Sequence, residues 1–166
     1  MKDTIGFSGR FEITITDTKT GHSRLLIIEN MLTNLNMMAH LNMLAGQTSG
    51  MTLNDLEIKY LAVGSNGTPE SPDQTQLFNE TFRTPFLTKT ITGSFTLSSI
   101  FRMNTGDGNG PVLEMGIFGG PLATSAPNSG NMISRITMNE VKSENKIWDI
   151  NRVDAVTSNT KLDWVK

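Results

Sequence analysis

Thr90-Ile91-Thr92-Gly93-Ser94-Phe95-Thr96-Leu97-Ser98-Ser99-Ile100-Phe101-Arg102-Met103 is the longest alternating run in the chain. Ile91, Gly93, Phe95, Leu97, Phe101 and Met103 share one face of an extended strand. Thr90, Thr92, Ser94, Thr96, Ser98 and Arg102 share the other, which is almost a ladder of hydroxyls. A period of two, with β-branched and aromatic residues on both faces, decides for β structure.

The same pattern recurs on both sides of this run. After the break Gly106-Asp107-Gly108-Asn109-Gly110-Pro111, strands are expected at Val112 to Phe118, Met132 to Met138 and Lys146 to Val153, with a loop opened by Gly119-Gly120-Pro121 that reaches Asn131. Upstream, Glu57 to Val63 reads as a strand that stops at Gly64-Ser65-Asn66-Gly67-Thr68-Pro69, a loop that Ser71-Pro72-Asp73 extends. Near the start, Phe11, Ile13 and Ile15 alternate with Arg10, Glu12, Thr14 and Thr16. A turn at Asp17 to Gly21 feeds a second strand, Ser23 to Glu29, whose Leu25-Leu26-Ile27-Ile28 suggests burial on both faces. One segment departs from this period: over residues 31–45, Thr33, Asn36, His40 and Gln47 fall within roughly a 60° sector and most other positions are apolar, the pattern of a helix with a narrow polar stripe facing water. Asn30 or Thr33 suits its N-cap and Gly46 its C′ position. At least seven strands and one helix make the chain all-β, a β-sandwich or jelly roll.

The length of 166 residues suits a single domain over 1–166. Residues 1–9 suit a flexible or assembly-contacting arm, and 160–166 a docking tail. A net charge of −2, without a basic run interleaved with aromatics, gives no footprint for nucleic acid. The absence of cysteine removes disulfides, thiolate zinc sites and cysteine nucleophiles, so packing or assembly must supply stability. Neither a signal-peptide core nor a membrane-length apolar stretch is evident, so an aqueous compartment is expected.

Few residues invite catalysis. His22 and His40 are the only histidines and lack the partners of a zinc site. Gly106 to Gly110 loosely matches a calcium loop but lacks its regular oxygen spacing and later glutamate. Gly64-Ser65-Asn66-Gly67 is not followed by the lysine and helix of a phosphate cradle. Glu57, Glu80, Glu114 and Asp149 are the carboxylates that would have to converge for glycoside hydrolysis. Non-enzymatic behaviour without a cofactor is the expectation. Glu114 stands among Leu113, Met115 and Ile117, and its carboxylate on the opposite face needs a cation, for which Arg135 and Arg83 are the candidates. Trp148 belongs to a strand, as core or interface. Trp164, near the end, suits docking into its own domain or a neighbouring subunit.

Read in order, the chain presents Asn30-Met31-Leu32-Thr33-Asn34, then Tyr60-Leu61-Ala62-Val63-Gly64 with its Gly/Thr/Pro loop. Asn79-Glu80-Thr81-Phe82-Arg83, Leu113-Glu114-Met115-Gly116-Ile117-Phe118 and Ser134-Arg135 follow. This succession resembles small bacteriophage virion proteins of the tail, collar, fibre or baseplate, over roughly residues 30 to 150. The chain departs from their usual pattern in having Leu35 where a glycine commonly follows. The resemblance implies a structural virion component, made in the host cytoplasm, that assembles with itself and with other virion proteins. A host-glycan-binding attachment module and a capsid decoration protein are the alternatives. Glycine, proline, serine and asparagine in the loops, with aromatics in the strands, favour a scaffold over a lectin.

Overall fold

A computed structural model describes residues 4–93 and 95–159. Ten strands form two five-stranded sheets, antiparallel throughout. Sheet A has the order β2 (Ser23–Glu29), β1 (Thr4–Asp17), β10 (Lys146–Asn159), β7 (Thr96–Met103), β6 (Thr88–Thr92). Sheet B has the order β3 (Met31–Leu32), β9 (Asn131–Lys142), β8 (Gly110–Gly119), β4 (Ile58–Gly64), β5 (Glu80–Pro85). The chain is therefore an all-β sandwich. Its core is the apolar sheet A row of Phe11, Ile13, Phe101, Trp148 and Ile150 against Leu61, Val63, Met115, Ile117 and Ile136 of sheet B. Residues 4–9, expected as an arm, are the first part of β1 and pair with 154–159. Residues 160–166, with Trp164, lie outside the described residues.

The long alternation at 90–103 is two strands, β6 and β7, joined by a hairpin at Gly93, whose φ is +61°. Period-two reading misses this turn for a simple reason. Thr92 pairs with Thr96 and Ile91 with Leu97, so the loop holds an odd number of residues. Facing residues across it have the same parity, and the apolar phase continues through the turn unbroken.

In β2, only Leu26 and Ile28 face the core, while Leu25 and Ile27 are each 58% exposed. Burial on both faces fails because β2 is the edge of sheet A and its outer face carries no further layer.

The helix α1 runs Asn34–Leu44, with Thr33 as N-cap and Gly46, at φ +66°, just past its end. Its orientation is the reverse of the one the sequence suggests. Thr33, Asn36 and Ala39 are buried, whereas Met37, Met38, Leu41, Met43 and Leu44 are 47–71% exposed. The first turn fixes this rotation. The Thr33 hydroxyl donates to Met132 O at 2.8 Å and its amide to Ile133 O at 3.2 Å on β9, while Asn34 N donates to Pro72 O at 2.8 Å. The polar stripe is satisfied at the protein side: Asn36 O is 2.9 Å from His40 Nδ1, and the His40 ring lies 4.1 Å from that of Phe7. Ala39, lacking a long side chain, lets the helix approach closely.

The two faces of α1 should respond oppositely to charge. Ala39→Asp buries a carboxylate without a cation and should lower the urea midpoint severely, by several kcal/mol in stability. Leu41→Asp, on the outer face, should stay within about 0.5 kcal/mol of the parent when both are measured as dilute monomers. Equal losses in chemical denaturation would show that α1 buries its Leu/Met face after all.

Candidate functional site

The outer face of sheet B is not open. The loop 65–79 between β4 and β5, and the loop 120–130 between β8 and β9, both cross it, and Leu77 of the first packs with Ala62, Phe118 and Met132. Backbone carried over an apolar face must find partners for its amides and carbonyls. Two buried ion pairs provide them.

Glu114 of β8 is fully buried and meets Arg135 of β9, with Arg135 Nε at 3.0 Å and Nη2 at 2.9 Å from Glu114 Oε2. The same carboxylate accepts Asn79 N at 2.9 Å and Phe78 N at 3.2 Å, the far end of the 65–79 loop. Arg135 holds the near end, donating to Thr68 O at 2.8 Å and Gln74 Oε1 at 3.2 Å, and its guanidinium lies 5.2 Å from the Phe78 ring. Gly64 faces Glu114 across the ladder, and a Cβ there would stand 2.5 Å from both Glu114 Oε1 and Asn79 O, so close approach demands glycine at this position. A bulge between Val112 and Glu114 lets Val112 join the core while Glu114 points outward.

Arg83 does not serve Glu114. It grips Glu80 in a two-pronged contact, Nε to Oε1 at 2.7 Å and Nη2 to Oε2 at 2.8 Å, with both side chains almost wholly buried. Residues three apart in a regular strand point to opposite faces. Here the register shifts from Val63–Phe82 to Gly64–Glu80, and the extra residue, Thr81, brings Glu80 and Arg83 to one side. Arg83 also donates to Ser129 O at 2.9 Å and lies 4.2 Å over Phe118, and Glu80 accepts Asn128 N at 2.8 Å, so this pair ties down the 120–130 loop.

A third contact closes the strap: the Glu70 carboxylate accepts the amide and hydroxyl of Thr137. Burial works against its charge, yet the Thr137 hydrogen bonds and the nearby Arg135 guanidinium hold its carboxyl below the usual glutamate range. Two more buried cations escape sequence reading. Arg152 sits inside the sandwich, bonded to Asp154 and Ser134. Lys142 donates to Asn104 O at 2.8 Å and Lys146 O at 2.6 Å, joining two hairpin turns, and burial lowers its pKa. Both occupy inward positions of otherwise apolar strands, where nothing local announces a charge.

The remaining candidates are scattered. Asp149 pairs with Arg102 at 2.6 Å on the outer face of sheet A, the opposite side of the sandwich from Glu114, and Glu57 lies 3.6 Å from Lys59 and from Lys89. The four carboxylates thus each answer a cation of their own. Asp107 turns its carboxylate back on Asn104 N at 2.8 Å, and Asn66 Oδ1 accepts Thr68 N at 2.8 Å, which makes local turns of the two glycine-rich loops. Among the described residues, no three His, Cys, Asp or Glu side chains gather to hold a metal. His22 lies exposed in its turn and Trp148 is fully buried in the core. Among the described residues, no helix is long and apolar enough to cross a membrane.

The large apolar side chains left exposed include those on the outer face of α1, and Leu25 and Ile27 on the edge strand β2. No family model, curated protein or solved structure matches the chain.

Two outcomes test the strap. Arg135→Met strands the Glu114 carboxylate and should cost about 3–5 kcal/mol in urea denaturation, whereas Glu114→Gln with Arg135→Met together should cost less than the sum of the two single changes. Because the Glu70 pKa is depressed on folding, its contribution is present above the unfolded value and is lost as pH falls through the folded one. The Thr137 amide shift should therefore titrate with a midpoint below that of an ordinary glutamate, and a midpoint at or above that value would contradict the contact.

Proposed function

We propose that this protein is a structural component of a bacteriophage particle, in the tail, neck or collar, baseplate or fibre, and that it acts by self-assembly and protein–protein bridging. The observation that carries this reading is the inverted helix α1. Isolated exposed leucines are ordinary, but four large side chains on one capped helix, Met37, Met38, Leu41 and Leu44, share a face and form a contiguous surface of the kind that association buries. Methionine suits such a surface because its unbranched thioether adapts to the facing shape. The partner is a second copy of the chain, packed side by side in a ring or trimer.

The setting comes from the sequence. The pieces that resemble phage virion proteins include Glu80, Arg83, Glu114 and Arg135, the four residues of the two buried ion pairs, and Gly64, which makes room for one of them. Thr33, from the first of those pieces, caps the helix. The shared motif thus has a physical content: it fixes two loops and one helix on a sandwich, as a rigid building block requires. The carboxylates of the site are neutralised, which supports a scaffold over a catalyst.

Sedimentation velocity over a wide concentration range tests the reading. Self-association is expected, and Leu41→Asp should weaken it by about tenfold or more, since burying one leucine contributes ~1.5–3 kcal/mol and 1.4 kcal/mol is a factor of ten. A strict monomer at high concentration that also occurs singly in the mature particle would overturn it.

A further inference from the structure

The strand β2 presents a second surface, apart from the outer face of α1. It is an edge of sheet A, seven residues long, and no strand pairs with its outer side among the described residues. The ends of the β1–β2 ladder fix which backbone groups point that way. Asp17 N donates to His22 O at 2.9 Å and Asn30 N to Gly9 O at 3.0 Å, and hydrogen-bonded and non-hydrogen-bonded pairs alternate along an antiparallel ladder. Arg24, Leu26 and Ile28 therefore turn their N–H and C=O groups toward β1, and Ser23, Leu25, Ile27 and Glu29 turn theirs outward. Leu25 and Ile27 thus show both open backbone groups and an exposed apolar side chain at the same edge.

Edges of this kind accept another strand unless shortness, a bulge, proline or lysine blunts them. The other three edges are blunted in these ways. β3 has two residues, β5 carries the bulge at Thr81 and ends at Pro85, and the five-residue β6 includes Lys89. In β2 the pairing with β1 runs without a shift, and Arg24, its cation, is turned to Glu140 of β9. The edge is also complementary to itself. Antiparallel partners share a face and a hydrogen-bonding state, so a two-fold axis must pass through a residue of the strand. With the axis at Leu26, Leu25 of each copy lies opposite Ile27 of the other, and Ser23 lies opposite Glu29, where its hydroxyl can donate to the carboxylate. No like charges face each other. With the axis at Leu25, Ile27 would meet Ser23, and with the axis at Ile27, Leu25 would meet the Glu29 carboxylate.

We propose that β2 pairs antiparallel with β2 of a second copy about a two-fold axis at Leu26, joining the two five-stranded A sheets into one continuous sheet. Each hydrogen-bonded pair, Leu25 with Ile27 and Ser23 with Glu29, exchanges two N–H···O bonds, and Leu26 meets Leu26 of the other copy on the core side. The contact uses none of the residues of α1, and it stands whether or not the protein belongs to a phage particle.

Cysteine scanning reads the register directly, because the chain has no cysteine of its own. At the axis the two Cβ atoms stand about 4.5–5.5 Å apart, so full-length Leu26→Cys should form a disulfide-linked dimer under mild oxidation. Leu25→Cys alone should not, since the two copies of residue 25 lie two positions out of register, beyond the ~7 Å between Cα atoms that a disulfide tolerates. Mixing it with Ile27→Cys should restore the link. Absence of the Leu26→Cys dimer in protein that keeps its fold under reduction would overturn the proposal, as would linkage of Leu25→Cys alone just as readily. The unaltered chain gives a second reading by amide hydrogen exchange. Leu25 and Ile27 should gain about tenfold protection or more from dilute to concentrated protein, with Leu26 and Ile28 protected throughout, and no gain would overturn the pairing. Adding Leu41→Asp, which disrupts the apolar face of α1, should leave the Leu26→Cys yield within about twofold. Loss of the link in that background would overturn the proposal, by making the edges meet only through helix packing.

Discussion

The Glu114–Arg135 pair is the constraint on which the rest of sheet B depends. Each partner supplies half of what a long loop needs to lie across an apolar face: the carboxylate takes two amides at one end of the 65–79 segment, and the guanidinium takes a carbonyl and a side-chain amide oxygen at the other. Buried charge pairs often contribute little net stability because desolvation offsets their attraction. Their value here is geometric. With both carboxylate oxygens and all three guanidinium nitrogens engaged, the pair permits one path for the strap, and the strap in turn holds Asn34 through Pro72 and so sets the rotation of α1. A chain of contacts thus runs from one ion pair in a sheet to the face that a helix shows to the outside.

The Glu80–Arg83 pair repeats the device on the second loop, and the two differ in how they arise. Glu114 and Arg135 meet across the regular part of the β8–β9 ladder, where Glu114 faces Thr137 and Gly116 faces Arg135. Glu80 and Arg83 lie on one strand and meet because Thr81 is extruded. In the second pair, an irregularity in the pairing brings a charge to a side where period-two logic would not have placed it. Bulges of this sort mark positions at which strand geometry yields to a side-chain requirement.

Much of the fold was legible in the residues, and the failures have physical causes. Most strand positions followed from alternation, β3 and β5 excepted, and the turn at Asp17 to Gly21 and the caps at Thr33 and Gly46 followed from local chemistry. The need of Glu114 for an arginine was readable, but the choice between Arg83 and Arg135 was a matter of long-range register. The hairpin at Gly93 was hidden by an odd loop that preserves parity, and Glu80 as the partner of Arg83 was hidden by a bulge. The orientation of α1 was the largest miss. An apolar helix face is normally buried, and here tertiary hydrogen bonds from Thr33 and Asn34 override that preference. Sequence reasoning assumes that a monomer hides its own apolar surface; a helix that does otherwise is informative for that reason.

Methionine oxidation footprinting addresses the central claim directly, because the chain supplies its own controls. Met37 and Met38 lie on the outer face of α1, whereas Met103, Met115 and Met132 are fully buried. In dilute protein the helix methionines should react readily and the three core methionines hardly at all. In concentrated, self-associated protein, these two methionines should become as unreactive as the core set. Helix methionines that oxidise equally fast when dilute and when concentrated would contradict the account.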